Sequence, residues 1–151
     1  MAFPVLLPFT SIDDITHAIQ LAIAPVFLLT AVGTLLMVFT NRLSRAVDRR
    51  RVLNKLLPEL TEAGLAEGNL ELAHIARRIQ LIYTAIVLAV FCALFICLLI
   101  AVAFLDAFLS ANLARVLGVL FVLAMLALIG ALIIFLREIF IAVTPPGGVI
   151  R

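Results

Sequence analysis

No lysine or arginine stands before Arg42 in this 151-residue chain. A secretory signal peptide opens on a basic stretch and ends at a small-residue cleavage site; neither pattern is present, so the first apolar run is expected to stay in the mature protein. Cysteine is scarce as well. Cys92 and Cys97 lie inside an apolar run with no third cysteine or flanking histidine, which excludes a readable disulfide framework or zinc site and leaves both as small packing residues. No serine sits in a nucleophile-elbow context, no glycine-rich phosphate loop follows a strand, and the two histidines, His17 and His74, fall on opposite sides of the expected membrane. The chain is therefore read as no enzyme, with no cofactor and no metal.

Charged residues make up only 13% of the chain while 66% is hydrophobic, a content too high for a soluble domain of this length to cover with polar surface. Lipid is the expected solvent. Residues 15–40 are apolar or small apart from His17, Gln20 and a few threonines, and as a helix they span about 39 Å, enough to cross a bilayer core. Residues 81–105 and 114–136 carry no charge except Arg115 and are also long enough to span. The expected fold class is all-α: a single membrane domain over 1–151 with three transmembrane helices.

The basic residues sort around these spans. None precedes the first, eight lie between the first and second (Arg42, Arg45, Arg49, Arg50, Arg51, Lys55, Arg77, Arg78), Arg115 alone precedes the third, and Arg137 and Arg151 follow it. The positive-inside bias places the N-terminus outside and the 41–80 connection and C-terminus in the cytoplasm. Within that connection Leu43, Val47, Leu53 and Leu57 recur at near-helical spacing, so the first helix is expected to continue to about Leu57, where Pro58 stops it. Gly64 and Gly68 are expected in a turn, with Asn69 capping a returning helix whose stripe, Leu72, Ile75, Ile79 and Ile82, runs into span two. The result is a cytoplasmic helical hairpin.

Small residues let helices approach closely in lipid, and Ala85, Ala89, Ala93, Cys97 and Ala101 form a ladder at four-residue steps in span two, an expected packing face. Ala124, Ala127, Gly130 and Ala131 repeat the device more weakly in span three. Span one differs, because Asp13, His17, Gln20, Ala24, Ala31, Thr34 and Asn41 make a polar-to-small stripe. Polar groups at membrane depth face protein or water. The stripe is either buried against the other two spans or lines an aqueous path built by several copies of span one. Asp13 and Asp14 would ring the outer mouth of such a path and concentrate cations, or else cap the helix. Pro25 and Gly33 are candidate hinges in the same helix.

Arg42, Arg45, Arg49, Arg50, Arg51 and Lys55 lie within a few turns of the expected cytoplasmic face, where anionic lipid headgroups attract each by about 1 kcal/mol. Asp48 and the acids of the returning arm, Glu62, Glu67 and Glu71, neutralise part of the patch, so nucleic acid is not an expected partner. The expected function is a homo-oligomeric, cation-conducting pore of the inner membrane lined by span one; the alternative is a non-conducting scaffold or regulatory subunit whose basic hairpin binds a partner or anionic lipid.

The run from Gln20-Leu21-Ala22 through Ala24-Pro25-Val26-Phe27-Leu28-Leu29 and Gly33 to Asn41-Arg42-Leu43-Ser44-Arg45-Ala46-Val47-Asp48-Arg49, together with Arg77-Arg78 before span two, resembles the bacterial membrane family called domain of unknown function 2721. The resemblance covers most of the chain outside its ends. It implies a small multi-span protein of the bacterial inner membrane and carries no activity onto these residues.

Overall fold

A computed structural model of the chain describes residues 11–59, 61–109 and 112–143. They form α1 (Ser11–Leu56), a 3-10 turn (Leu57–Glu59), α2 (Glu62–Leu109) and α3 (Ala114–Val143). All three helices are long and apolar enough to cross a membrane. At 1.5 Å per residue α1 and α2 each run about 70 Å and α3 about 45 Å. A hydrocarbon core is about 30 Å thick, so α1 and α2 have length to spare.

Packing follows a seven-residue repeat. In α1 the buried positions are Pro25, Val32, Phe39, Ala46 and Leu53; in α2 they are Gly68, Ile75, Ile82, Ala89, Ile96 and Ala103, with Ala85, Cys92 and Leu99 as a second seam; in α3 Ala124, Ala131 and Glu138 continue it. A repeat of 3.5 residues per turn keeps one seam on the partner helix, as in coiled coils. Helix α2 lies between the others and packs along both. The pairs Arg49–Glu71 and Arg42–Glu138–Arg78 set the register: seven residues forward on α1 match seven back on α2, so the two are antiparallel. Many large apolar side chains, among them Phe27, Met37, Tyr83, Leu94, Leu126 and Phe140, are exposed, while Ala85, Ala89, Cys92, Ala124 and Ala131 are fully buried beside Phe39, Ile82 and Ile96. Water would not tolerate such a surface; acyl chains do.

Several local expectations are corrected. Helix α2 begins at Glu62 rather than after Asn69, with the Thr61 carbonyl accepting the first backbone bond from Leu65 N–H at 2.8 Å. Gly64 and Gly68 are therefore helical. Glycine costs about 1 kcal/mol in a helix interior, but Gly68 is buried in the seven-residue register of Ile75 and Ile82, a position where small residues suit close helix packing. Helix α1 starts at Ser11, so Asp13 and Asp14 fall in its first turn and neither is its cap. The alanine ladder leaves the core part-way along: Ala85 and Ala89 are fully buried, Ala93 is half-buried, and Cys97 and Ala101 are exposed on the single chain. Four residues advance about 40° beyond a full turn, so a strict four-residue ladder winds off any fixed face. The face that stays buried alternates threes and fours through Cys92, Ile96, Leu99 and Ala103.

At the other end of α2, Asp106 Oδ1 accepts the Leu113 N–H at 2.9 Å and closes the connection to α3. Asn112 turns the chain at φ 52°, a left-handed conformation that asparagine tolerates better than most residues.

Candidate functional site

The three helices are joined at one polar point. Glu138, in the last turns of α3, is fully buried, an expensive position for a carboxylate unless charge and hydrogen bonds compensate. Both are supplied. Oε1 accepts from Arg78 Nε (3.1 Å) and Nη2 (2.9 Å), and Oε2 accepts from Arg42 Nη1 (2.9 Å). Arg42 belongs to α1 and Arg78 to α2, so one carboxylate ties three helices. The Arg42 guanidinium also lies 5.1 Å from the centroid of the Phe135 ring, which meets the Phe39 ring at 4.6 Å between centroids with the planes tilted by 43°. An aromatic face adds attraction for a cation that already has a carboxylate partner.

Beyond this cluster the arms of α1 and α2 continue. Arg49 donates through Nε and Nη2 to Glu71 Oε1, at 3.1 and 2.8 Å, an exposed pair of modest strength. Between the arms lies a cleft of about 320 Å³ lined by Arg42, Arg45, Ala46, Arg49, Ile75 and Arg78. Arg45, Arg50, Arg51 and Lys55 are exposed and have no ion pair among the described residues. No group of residues able to hold a metal ion occurs among the described residues.

Sequence reasoning singled out Arg42, Arg45 and Arg49 but passed over Glu138, Arg78 and Glu71 as site residues. Glu138 had a readable signal. It is the one carboxylate of α3, just past its apolar run, and an ionisable group at that depth needs a partner. Arg42 and Arg78 stand at the matching ends of the other two spans.

The stripe of span one lies elsewhere. Gln20, Ala24, Ala31, Thr34 and Asn41 are all exposed on the single chain, facing away from α2 and α3. For these five residues, burial against the other two helices of the same chain is not what the structure shows. The threonine hydroxyls are already satisfied: Thr30 donates to the Val26 carbonyl, Thr34 to Thr30 and Thr40 to Leu36. Asp13, Asp14 and His17 are in the first turns of α1, with side chains outside the described residues. Pro25 is buried and α1 runs through it without a break; a side chain added at Gly33 would meet open space.

The chain matches the family described as Protein of unknown function (DUF2721) over residues 22–145. It belongs to that family. No curated protein and no solved structure matches it. The DUF2721 stretch takes in the three long apolar helix stretches, the basic arm of α1, the returning arm of α2 and Glu138, and it starts beyond Asp13, Asp14, His17 and Gln20. The buried arginine–glutamate cluster thus belongs to the family region; the residues assigned to an outer pore mouth do not.

Proposed function

We propose that the protein is a non-enzymatic, multi-pass component of the bacterial inner membrane, a scaffold or regulatory subunit whose basic helical hairpin grips the anionic cytoplasmic leaflet. The reading puts the N-terminus outside and the hairpin and C-terminus in the cytoplasm, and the bias of arginine and lysine toward the 41–80 connection supports it. The observation that carries the reading is the set of unpaired cations: Arg45, Arg50, Arg51 and Lys55 are exposed along the α1 arm, about 5–20 Å beyond Arg42 of the Arg42–Glu138–Arg78 cluster. Each such charge contributes about 1 kcal/mol near an anionic surface, and several together hold headgroups against the protein. The cluster anchors the arms to the bundle, so what the arms contact is coupled to how the spans pack.

The test is lipid retention. Full-length protein extracted from vesicles of mixed phosphatidylcholine and phosphatidylglycerol should carry more of the anionic lipid by native mass spectrometry. The triple variant Arg50→Gln, Arg51→Gln, Lys55→Gln should lose most of that excess. Equal retention of both lipids by the natural protein would refute the reading.

A second reading, a homo-oligomeric cation-conducting pore lined by α1, has one observation in its favour: the stripe from Gln20 to Asn41 faces outward, where other copies could meet it. In that arrangement α2 and α3 form the outer shell and Asp13 and Asp14 ring the mouth. Purified protein in planar bilayers should then conduct, with selectivity reduced by Asp13→Asn plus Asp14→Asn and current reduced by Thr34→Phe. Absence of current under varied voltage, pH, tension and divalent ions leaves the scaffold reading alone.

A further inference from the structure

We propose that the cleft between the arms of α1 and α2 is a discrete binding site for a terminal phosphate group, carried by a lipid headgroup or free in solution. This deepens the lipid-facing reading above and rests on it for the cleft's position at the membrane surface. The floor is apolar, made by the buried Ala46 and Ile75, and the rim carries Arg42, Arg45, Arg49 and Arg78. Two carboxylates, Glu138 and Glu71, are bonded to three of these guanidiniums, so four positive charges face two negative ones and the cleft retains an excess of two. That excess matches a phosphomonoester, whose charge near neutrality is about −1.5 to −2, better than the single charge of a phosphodiester.

The carboxylates also orient the donors. A guanidinium has five N–H donors. Arg42 gives one nitrogen, Nη1, to Glu138; Arg78 and Arg49 each give Nε and Nη2 to a carboxylate and keep Nη1; Arg45 has no ion pair among the described residues. Held arginines lose less freedom when they take up an anion, and planar forks suit the oxygens of a phosphate. The volume of about 320 Å³ is room for roughly ten waters, hence for a phosphate and part of what it is attached to. The depth also fits. Arg42 and Arg78 stand at the ends of apolar spans and Arg49 about 10 Å further along the helix, so the cleft covers the headgroup layer next to a 30 Å core.

The experiment uses full-length protein in a neutral detergent, with binding read by native mass spectrometry for phosphatidic acid, phosphatidylglycerol and, by calorimetry, inorganic phosphate. Phosphatidic acid should occupy one site and bind about tenfold tighter than phosphatidylglycerol, the difference expected from one added charge-assisted hydrogen bond. Arg45→Gln, which breaks no internal pair, should weaken that site about tenfold, whereas Arg50→Gln plus Arg51→Gln, outside the cleft, should leave it within about twofold. Binding of inorganic phosphate that competes with the lipid identifies a soluble source for the group; tight binding of phosphatidic acid without it identifies the lipid. If both lipids bind equally and the Arg50 and Arg51 changes weaken them as much as Arg45→Gln does, the discrete site is wrong although the basic surface stands. If no anionic lipid binds, the lipid-facing reading falls with it.

Discussion

At the residue scale the account turns on Glu138. A fully buried carboxylate shared by Arg42 and Arg78 is stable only while all three groups are present, because removing one partner leaves charge uncompensated at low dielectric. The two arginines retain about a third of their exposure, 32% and 29%, which softens the effect. Glu138→Gln should therefore cost about 3 kcal/mol, the lower end of the range for breaking a buried pair. Thermal unfolding in detergent measures it. Glu138→Asp, which keeps the charge but shortens the reach, should fall between the two. An unchanged midpoint for Glu138→Gln would mean that the carboxylate does not hold the helices together.

At the scale of elements, the alanines of α2 separate two roles that the sequence merged into one ladder. Ala89 is fully buried, so Ala89→Leu forces a large side chain into the seam and should cost about 1–3 kcal/mol. Cys97 is exposed on the single chain, so Cys97→Leu should leave the unfolding midpoint of the monomer alone. A change in the mass of detergent-solubilised protein with Cys97→Leu would place the second half of the ladder at a contact between copies. The three apolar helices and their approximate ends were legible because hydrophobic length is a strong signal in lipid. The start of α2 was not, since Gly64 and Gly68 argue locally for a turn, whereas both are helical and Gly68 is buried in register with Ile75 and Ile82. The cluster was half legible: Arg42 was read as a headgroup contact, whereas its pairing with Glu138 spans 96 residues and no local pattern reports it.

At the scale of the whole molecule, the bundle has an apolar exterior over its spans, and among the described residues the exposed cations without an ion pair gather at one end, Arg115 at the start of α3 excepted. Everything proposed for that end depends on its lying against the anionic inner leaflet, and the same placement puts the α2–α3 connection outside. The most direct measurement is cysteine labelling in intact cells with a membrane-impermeant maleimide. The background should be Cys92→Ala, Cys97→Ala, carrying either Ser110→Cys, between α2 and α3 in the chain, or Thr61→Cys, between α1 and α2. Ser110→Cys should label in intact cells, and Thr61→Cys should label only after the membrane is opened. The reverse pattern would put the arginines outside and contradict both the lipid-gripping hairpin and the phosphate cleft.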